Sequence, residues 1–163
     1  MKYYKDVLFT DRYLIKGHVK TGSQRLSTFL CNARRRFVEM EGATLIDHDK
    51  LDRLQVERVL VSVDEILIAY EMEETGDEGL RTLGVREKAE MEIHIELNAG
   101  TPIRLSGKVR RRTMEWGAFR NHDFIVVVDP ALDGFRIKHS PEYSFLKGIR
   151  YMIVNSNRAA IIY

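Results

Sequence analysis

The feature that most constrains this chain is an internal repeat. Residues 59–70, VLVSVDEILIAY, align without a gap with residues 152–163, MIVNSNRAAIIY. Three aligned pairs are identical, namely Val61 with Val154, Ile68 with Ile161, and Tyr70 with Tyr163. A repeat of this kind has to be identified before any fold is assigned, because it implies two copies of one structural unit.

Earlier segments repeat in the same order. Residues 13–19 and 103–109 both alternate apolar and polar side chains, and both carry a glycine at the same position, Gly17 and Gly107. The alternation is typical of a half-buried strand. A glycine inside such a strand indicates a bulge, a sharp bend or a close backbone approach. The apolar segment 37–40 then corresponds to 124–127.

Repeated short strands separated by turns are typical of small barrels or sandwiches, and the bent glycine strand favours a strongly curved sheet. We therefore predict an all-β protein built from two tandem small β-barrels of SH3-like or Sm-like type. The predicted boundaries are 1–71 for the first unit and 93–163 for the second. Residues 72–92, rich in acids and glycine, are predicted to be an acidic linker.

The first unit carries an insertion, GSQRLSTFLCNARRRF, between its second and third strands. Leu26, Phe29, Leu30 and Ala33 follow the i, i+3, i+4, i+7 spacing of one apolar helix face, which predicts a short helix. Ser23 is the predicted N-cap, because serine is among the preferred capping residues.

Charge is unevenly distributed along the chain. Residues 97–163 hold eleven bases and five acids, whereas residues 71–96 hold nine acids and three bases. The densest basic run contains Lys108, Arg110, Arg111 and Arg112, followed by Trp116. A basic patch beside an aromatic residue is one pattern of an RNA-binding surface. Alternatively, Arg111 faces away from Arg110 and Arg112 as a solvated strand surface, and Trp116 covers the end of the second barrel.

The sequence contains no recognisable constellation for catalysis, for a metal or for a cofactor. The five histidines lack metal-ligand spacing, and glycine-rich phosphate-binding and nucleophile-elbow motifs are absent. Asp47, His48 and Asp49 are predicted to form a polar turn. Cys31 is predicted to be an inert thiol in the short helix. We predict a non-catalytic protein without cofactors.

The block RLSTFLCNARRRFVEMEGATL and the later VLVSVDEILIAY resemble small bacterial proteins of uncharacterised function, whose pattern is R-L-S-D-F-L-N, F-L-x-L-x-x-A and V-N-K-x-x-I. The first part is matched by Arg25, Leu26, Ser27, Phe29 and Leu30, the second by Phe37 and Ala43, and the third by Val154 and Asn155. The strand order more distantly resembles Sm-like proteins. That resemblance implies barrels that join through edge strands and, in one branch, bind RNA.

Both units end in a strongly apolar hairpin, and AAIIY contains neither of the devices, charge or proline, that keep strand edges unpaired. We therefore predict self-association into a dimer or small ring, or pairing with another protein, with Ile161, Ile162 and Tyr163 in the contact. The alternative is an RNA-binding protein that uses Lys108, Arg110, Arg112 and Trp116. No stretch is apolar enough to span a membrane, and a cytoplasmic location is expected.

Overall fold

The computed structural model describes residues 4–32, 35–72, 90–98, 100, 102–110, 123–134 and 141–163. In chain order, its strands and helix are β1 (Asp6–Phe9), β2 (Tyr13–Val19), α1 (Leu26–Asn32), β3 (Phe37–Asp47), β4 (Arg53–Ser62), β5 (Ile68–Glu71), β6 (Glu90–Leu97), β7 (Ile103–Arg110), β8 (Phe124–Asp133), β9 (Tyr151–Asn155) and β10 (Ala159–Ile162). Short 3-10 turns lie at Val63–Glu65, Pro141–Leu146 and Ser156–Arg158. The prediction of an all-β protein is confirmed.

The ten strands form one antiparallel sheet in the order β10-β6-β7-β8-β9-β5-β1-β2-β3-β4. Each half has the same internal order, since β5-β1-β2-β3-β4 in the first half corresponds to β10-β6-β7-β8-β9 in the second. The repeat seen in the sequence is therefore a repeat of strand pairing. Among the described strands the sheet is open, with β10 and β4 as its outer strands, so the predicted pair of closed barrels is not seen there.

The two halves are joined by the pairing of β5 with β9, here called the internal joint. Ile68 lies opposite Val154 and Ala69 lies opposite Ile153. Because side chains alternate between faces, these strands contribute to two apolar clusters. Ile68 and Val154 belong to a cluster centred on the second half, whereas Ala69 and Ile153 belong to one centred on the first. The halves therefore share both cores.

The strand glycines lie at bulges, as the sequence predicts. The β2–β3 register shifts between Lys16 and His18, and the β7–β8 register shifts between Ser106 and Lys108. A Cβ on Gly17 would lie 2.9 Å from the carbonyl oxygen of Glu41, and one on Gly107 would lie 2.9 Å from that of Val128. Only glycine allows the strands to approach this closely where the sheet bends.

The predicted helix is present, but its predicted N-cap is wrong. α1 begins at Leu26, which is too far from Ser23 for that residue to cap it. The amide of Leu26 instead donates a hydrogen bond to Oε1 of Glu71 on β5. A residue distant in sequence thus replaces the local cap. Leu26, Phe29 and Leu30 are buried as the spacing predicts, and Ala33 lies outside the described residues.

Two other predicted features lie between strands. The segment containing His48 and Asp49 forms the turn between β3 and β4, where Oδ1 of Asp47 accepts from the amides of Asp49 and Lys50. The prediction of a polar turn is confirmed. Most of the predicted linker, residues 73–89, lies outside the described residues, and β6 already begins at Glu90.

Candidate self-association surface

Hydrogen bonds from Asn155 fix the internal joint at one end. Its side chain is buried, its backbone amide donates to the carbonyl of Leu67 (2.9 Å), and Nδ2 donates to the carbonyl of Ile66 (2.9 Å). Its Oδ1 accepts from the amide of Asn157 (3.0 Å) and so caps the 3-10 turn of its own half. One buried amide thus satisfies backbone groups of both halves, which is how buried polar side chains are normally accommodated.

Glu71 ties the other end of the joint to the helix. Its carboxylate is buried and accepts from the amide of Leu26 and from the hydroxyl of Tyr151 on β9 (2.6 Å). Nη2 of Arg25 lies 3.8 Å from the same carboxylate. The network therefore links α1, β5 and β9. It holds the helix against β5, the strand of the first half that pairs with β9.

Asp6 lies directly opposite Glu71 in the pairing of β1 with β5, and it is also buried. Burial raises the pKa of Asp6 to about 6, although the amide of Val19, which donates to its carboxylate at 2.8 Å, acts in the opposite direction. The folded protein thus holds this proton at a higher pH than the unfolded chain does. The protonated Asp6 carboxyl therefore contributes to the free energy of unfolding. This contribution is fully present below the unfolded pKa of 3.8 and is lost as the pH rises through 6.

Replacement of Asp6 with asparagine keeps an acceptor for the Val19 amide and removes the cost of a buried anion. We expect Asp6→Asn to raise the free energy of unfolding by about 1–3 kcal/mol above the carboxyl's pKa, since each pKa unit corresponds to about 1.4 kcal/mol. Urea unfolding below and above pH 6 measures this. An equal change at both pH values would contradict the assignment.

The 3-10 turn of the second half that carries Tyr143 packs against the first half. The Tyr143 hydroxyl lies 2.8 Å from Nδ1 of His48, whose Nε2 lies 2.9 Å from the carbonyl oxygen of Thr10. Because a carbonyl only accepts, Nε2 carries the proton and Nδ1 accepts from Tyr143. Burial lowers the pKa of His48 and raises the pKa of Tyr143 to about 12. Lys16 donates to the Glu142 carbonyl beside them (2.9 Å).

Among the described residues, β4 and β10 have a partner strand on one side only, and these two free edges both carry exposed apolar side chains. Leu60 on β4 is 61% exposed and Ile161 on β10 is 52% exposed. Unpaired strand edges present backbone donors and acceptors to any strand that can reach them. These two edges form the candidate self-association surface.

The three residues predicted for the contact lie on or next to β10. Ile161 and Tyr163 are exposed, whereas Ile162 is partly buried against the core of the second half. The Tyr163 ring stacks on His94 at 5.1 Å between ring centroids. Its backbone exchanges two hydrogen bonds with His94, of 2.7 and 2.9 Å, so β6 holds this end of β10 in place. The β4 edge was not predicted.

The basic residues predicted for RNA lie opposite acids where the structure describes them. In the pairing of β6 with β7, Arg110 faces Glu90 and Lys108 faces Glu92. Nζ of Lys108 lies 3.8 Å from Oε2 of Glu90. The acids of β6 thus reduce the positive potential of β7. Arg112 and Trp116 lie outside the described residues, and RNA binding stays a prediction.

The described part of the chain contains no group of three or more His, Cys, Asp or Glu side chains arranged to hold a metal ion. Within the same residues, none of the helices has the length and apolar character needed to cross a bilayer. Cys31 is half-buried, and its thiol donates to the carbonyl of Phe124 (3.3 Å). Burial raises the pKa of this thiol, which disfavours the nucleophilic thiolate.

Comparison with known proteins gave no match among protein-family models, curated proteins or solved structures.

Proposed function

We propose that this protein is a non-catalytic assembly module, in which two tandem Sm-like, SH3-like units present their free strand edges to further copies of the chain. The observation that carries the proposal is that β4 and β10 are the outer strands of the described sheet. The β4 edge carries the charges of Arg53, Glu57 and Arg58, so the edge without protection is that of β10. Natural proteins blunt an exposed edge with charge, proline or a covering segment, or else they pair it. β10 consists of Ala159, Ala160, Ile161 and Ile162 and contains no charge or proline.

The position of Ile161 supports the same proposal. An isoleucine that is more than half exposed on an edge strand buries apolar surface only when another chain covers it, and each buried Å² contributes about 25 cal/mol. The edge also supplies directional hydrogen bonds, which fix the register of an added strand. Apolar burial and backbone pairing together favour a specific association over unspecific adhesion.

We expect the mass of the protein in solution to increase with concentration, because association through the edges is governed by mass action. Multi-angle light scattering over a wide concentration range measures this. Ile161→Lys places a charge on the edge, and we expect it to restore the mass of one chain, 19.0 kDa. A wild-type mass of one chain at every concentration would overturn the proposal.

A further inference from the structure

The two free edges are the repeat counterparts of the two strands that already pair inside the molecule. In the ungapped alignment, β4 residues Leu60 and Val61 correspond to Ile153 and Val154 of β9. In the same alignment, Ile161 and Ile162 of β10 correspond to Ile68 and Ala69 of β5. The internal joint pairs β9 with β5. The molecule therefore carries one satisfied joint and the two unsatisfied halves of a second.

Burial differs between the counterparts in the way this relationship requires. Ile153 and Ile68 are fully buried by the internal joint, whereas their equivalents Leu60 and Ile161 are exposed. The same positions in the repeat are thus apolar in both copies, but they are covered only where a neighbouring half is present.

We propose that β4 of one copy pairs antiparallel with β10 of the next copy and reproduces the internal joint between molecules. The internal register places Leu60 opposite Ile162 and Val61 opposite Ile161 of the neighbouring copy. This inference rests on the proposed self-association and names its partner surface.

The backbone groups of the two edges agree with this register. In the pairing of β3 with β4, the amide of Val63 donates to the carbonyl of Arg36. Along an antiparallel strand, alternate residues direct their backbone amide and carbonyl groups to opposite sides. Leu60 therefore directs its amide and carbonyl away from β3. On β10, Tyr163 exchanges both bonds with His94, so Ile162 directs its own groups away from β6. The two outward-directed residues are the two that the register places opposite each other.

The joint between copies lacks two features of the internal one. Ser62 occupies the position of Asn155. The Asn155 side-chain amide donates across the internal joint, whereas the serine side chain is shorter and has no amide. The turn between β3 and β4, residues 48–52, also replaces the longer segment that carries Tyr143. The contact is therefore weaker than the internal joint and reversible. We expect Ser62→Asn to tighten association about two- to tenfold, the effect of one additional neutral hydrogen bond.

A contact between two different edges is heterologous, so each copy that joins leaves one β4 and one β10 free at the ends. Such contacts form a ring when the rotation closes and a filament when it does not. Association of β10 with a second β10 would instead stop at a dimer.

Disulfide trapping tests the proposed register. In a Cys31→Ser background, which keeps a donor for the Phe124 carbonyl, one preparation carries Leu60→Cys and a second, isotope-labelled preparation carries Ile162→Cys. Directly opposed strand residues fall within the Cα separation that a disulfide accepts. We expect oxidation of the mixture to give a mixed disulfide dimer, and oxidation of either preparation alone to give none. Leu54→Cys, which lies on the same strand and is 58% exposed, is the matched control and should not cross-link to Ile162→Cys.

The outcomes separate this inference from the proposed function. A disulfide between two Ile162→Cys chains, or an oligomer without the mixed disulfide, overturns the β4–β10 contact and leaves self-association standing. A monomer at all concentrations overturns both. If Ile162→Cys does not fold, amide exchange of the wild-type protein decides instead. The Leu60 amide should then exchange more slowly as concentration rises, and unchanged exchange in an associated sample would overturn the contact.

Discussion

Gly107→Ala is expected to lower the free energy of unfolding by about 3 kcal/mol, at the upper end of the range for inserting a methyl group into a packed site. The added Cβ would clash with Cγ1 of Val127 and lie 2.9 Å from the carbonyl oxygen of Val128. The second contact involves backbone, which cannot move without disturbing the β7–β8 bulge. Urea unfolding in the Ile161→Lys background, where we expect association through β10 not to contribute, provides the measurement.

A double-mutant cycle separates the clash from a general effect of alanine in a strand. Val127→Ala removes the closest atom, so the combined Gly107→Ala and Val127→Ala variant should lose less stability than the sum of the two single variants. Additive losses would show that the close approach at Gly107 does not limit the sheet.

Glu71→Ala is expected to destabilise the protein by about 3–5 kcal/mol, as does removal of one partner from a buried charged network. The change leaves the Leu26 amide and the Tyr151 hydroxyl without their acceptor. It also leaves Arg25 without the nearby carboxylate. Because α1 loses its attachment to β5, the half-buried thiol of Cys31 should also react faster with a thiol reagent.

Glu71→Gln is the matched control for the charge. Its amide oxygen can still accept one of the two hydrogen bonds, so we expect a loss of about 1–2 kcal/mol and a smaller rise in thiol reactivity. Equal losses for alanine and glutamine would indicate that shape rather than the acceptor positions the helix.

The fold was predictable wherever one segment of sequence sufficed. The spacing of Gly17 and Gly107 within alternating strands indicated bends, and bulges are found at both positions. The repeated endings indicated two copies of one unit, and both halves have the same strand order. These signals are local, because alternation and glycine conformations act within a single strand and its immediate neighbours.

The remaining features depend on contacts between distant segments. Ser23 is a good capping residue by type, yet the amide of Leu26 is satisfied by Glu71, which the fold brings across from β5. Leu60 lies in the repeated apolar segment 59–70, and only the sheet order identifies β4 as an outer strand. The sequence also does not show that Lys108 and Arg110 lie opposite acids of β6, because that pairing depends on the register of the two strands.

Mixing two complementary edge variants tests whether β4 of one copy pairs with β10 of the next. Leu60→Lys blocks β4 and leaves β10 intact, whereas Ile161→Lys blocks β10 and leaves β4 intact. Head-to-tail association predicts that each variant alone stays at the 19.0 kDa of one chain. The equimolar mixture should form a dimer of twice that mass and nothing larger, because only one pair of compatible edges remains. Sedimentation velocity distinguishes the species. Dimers of Leu60→Lys alone would contradict head-to-tail pairing, as would a mixture that stays monomeric while the wild-type protein associates.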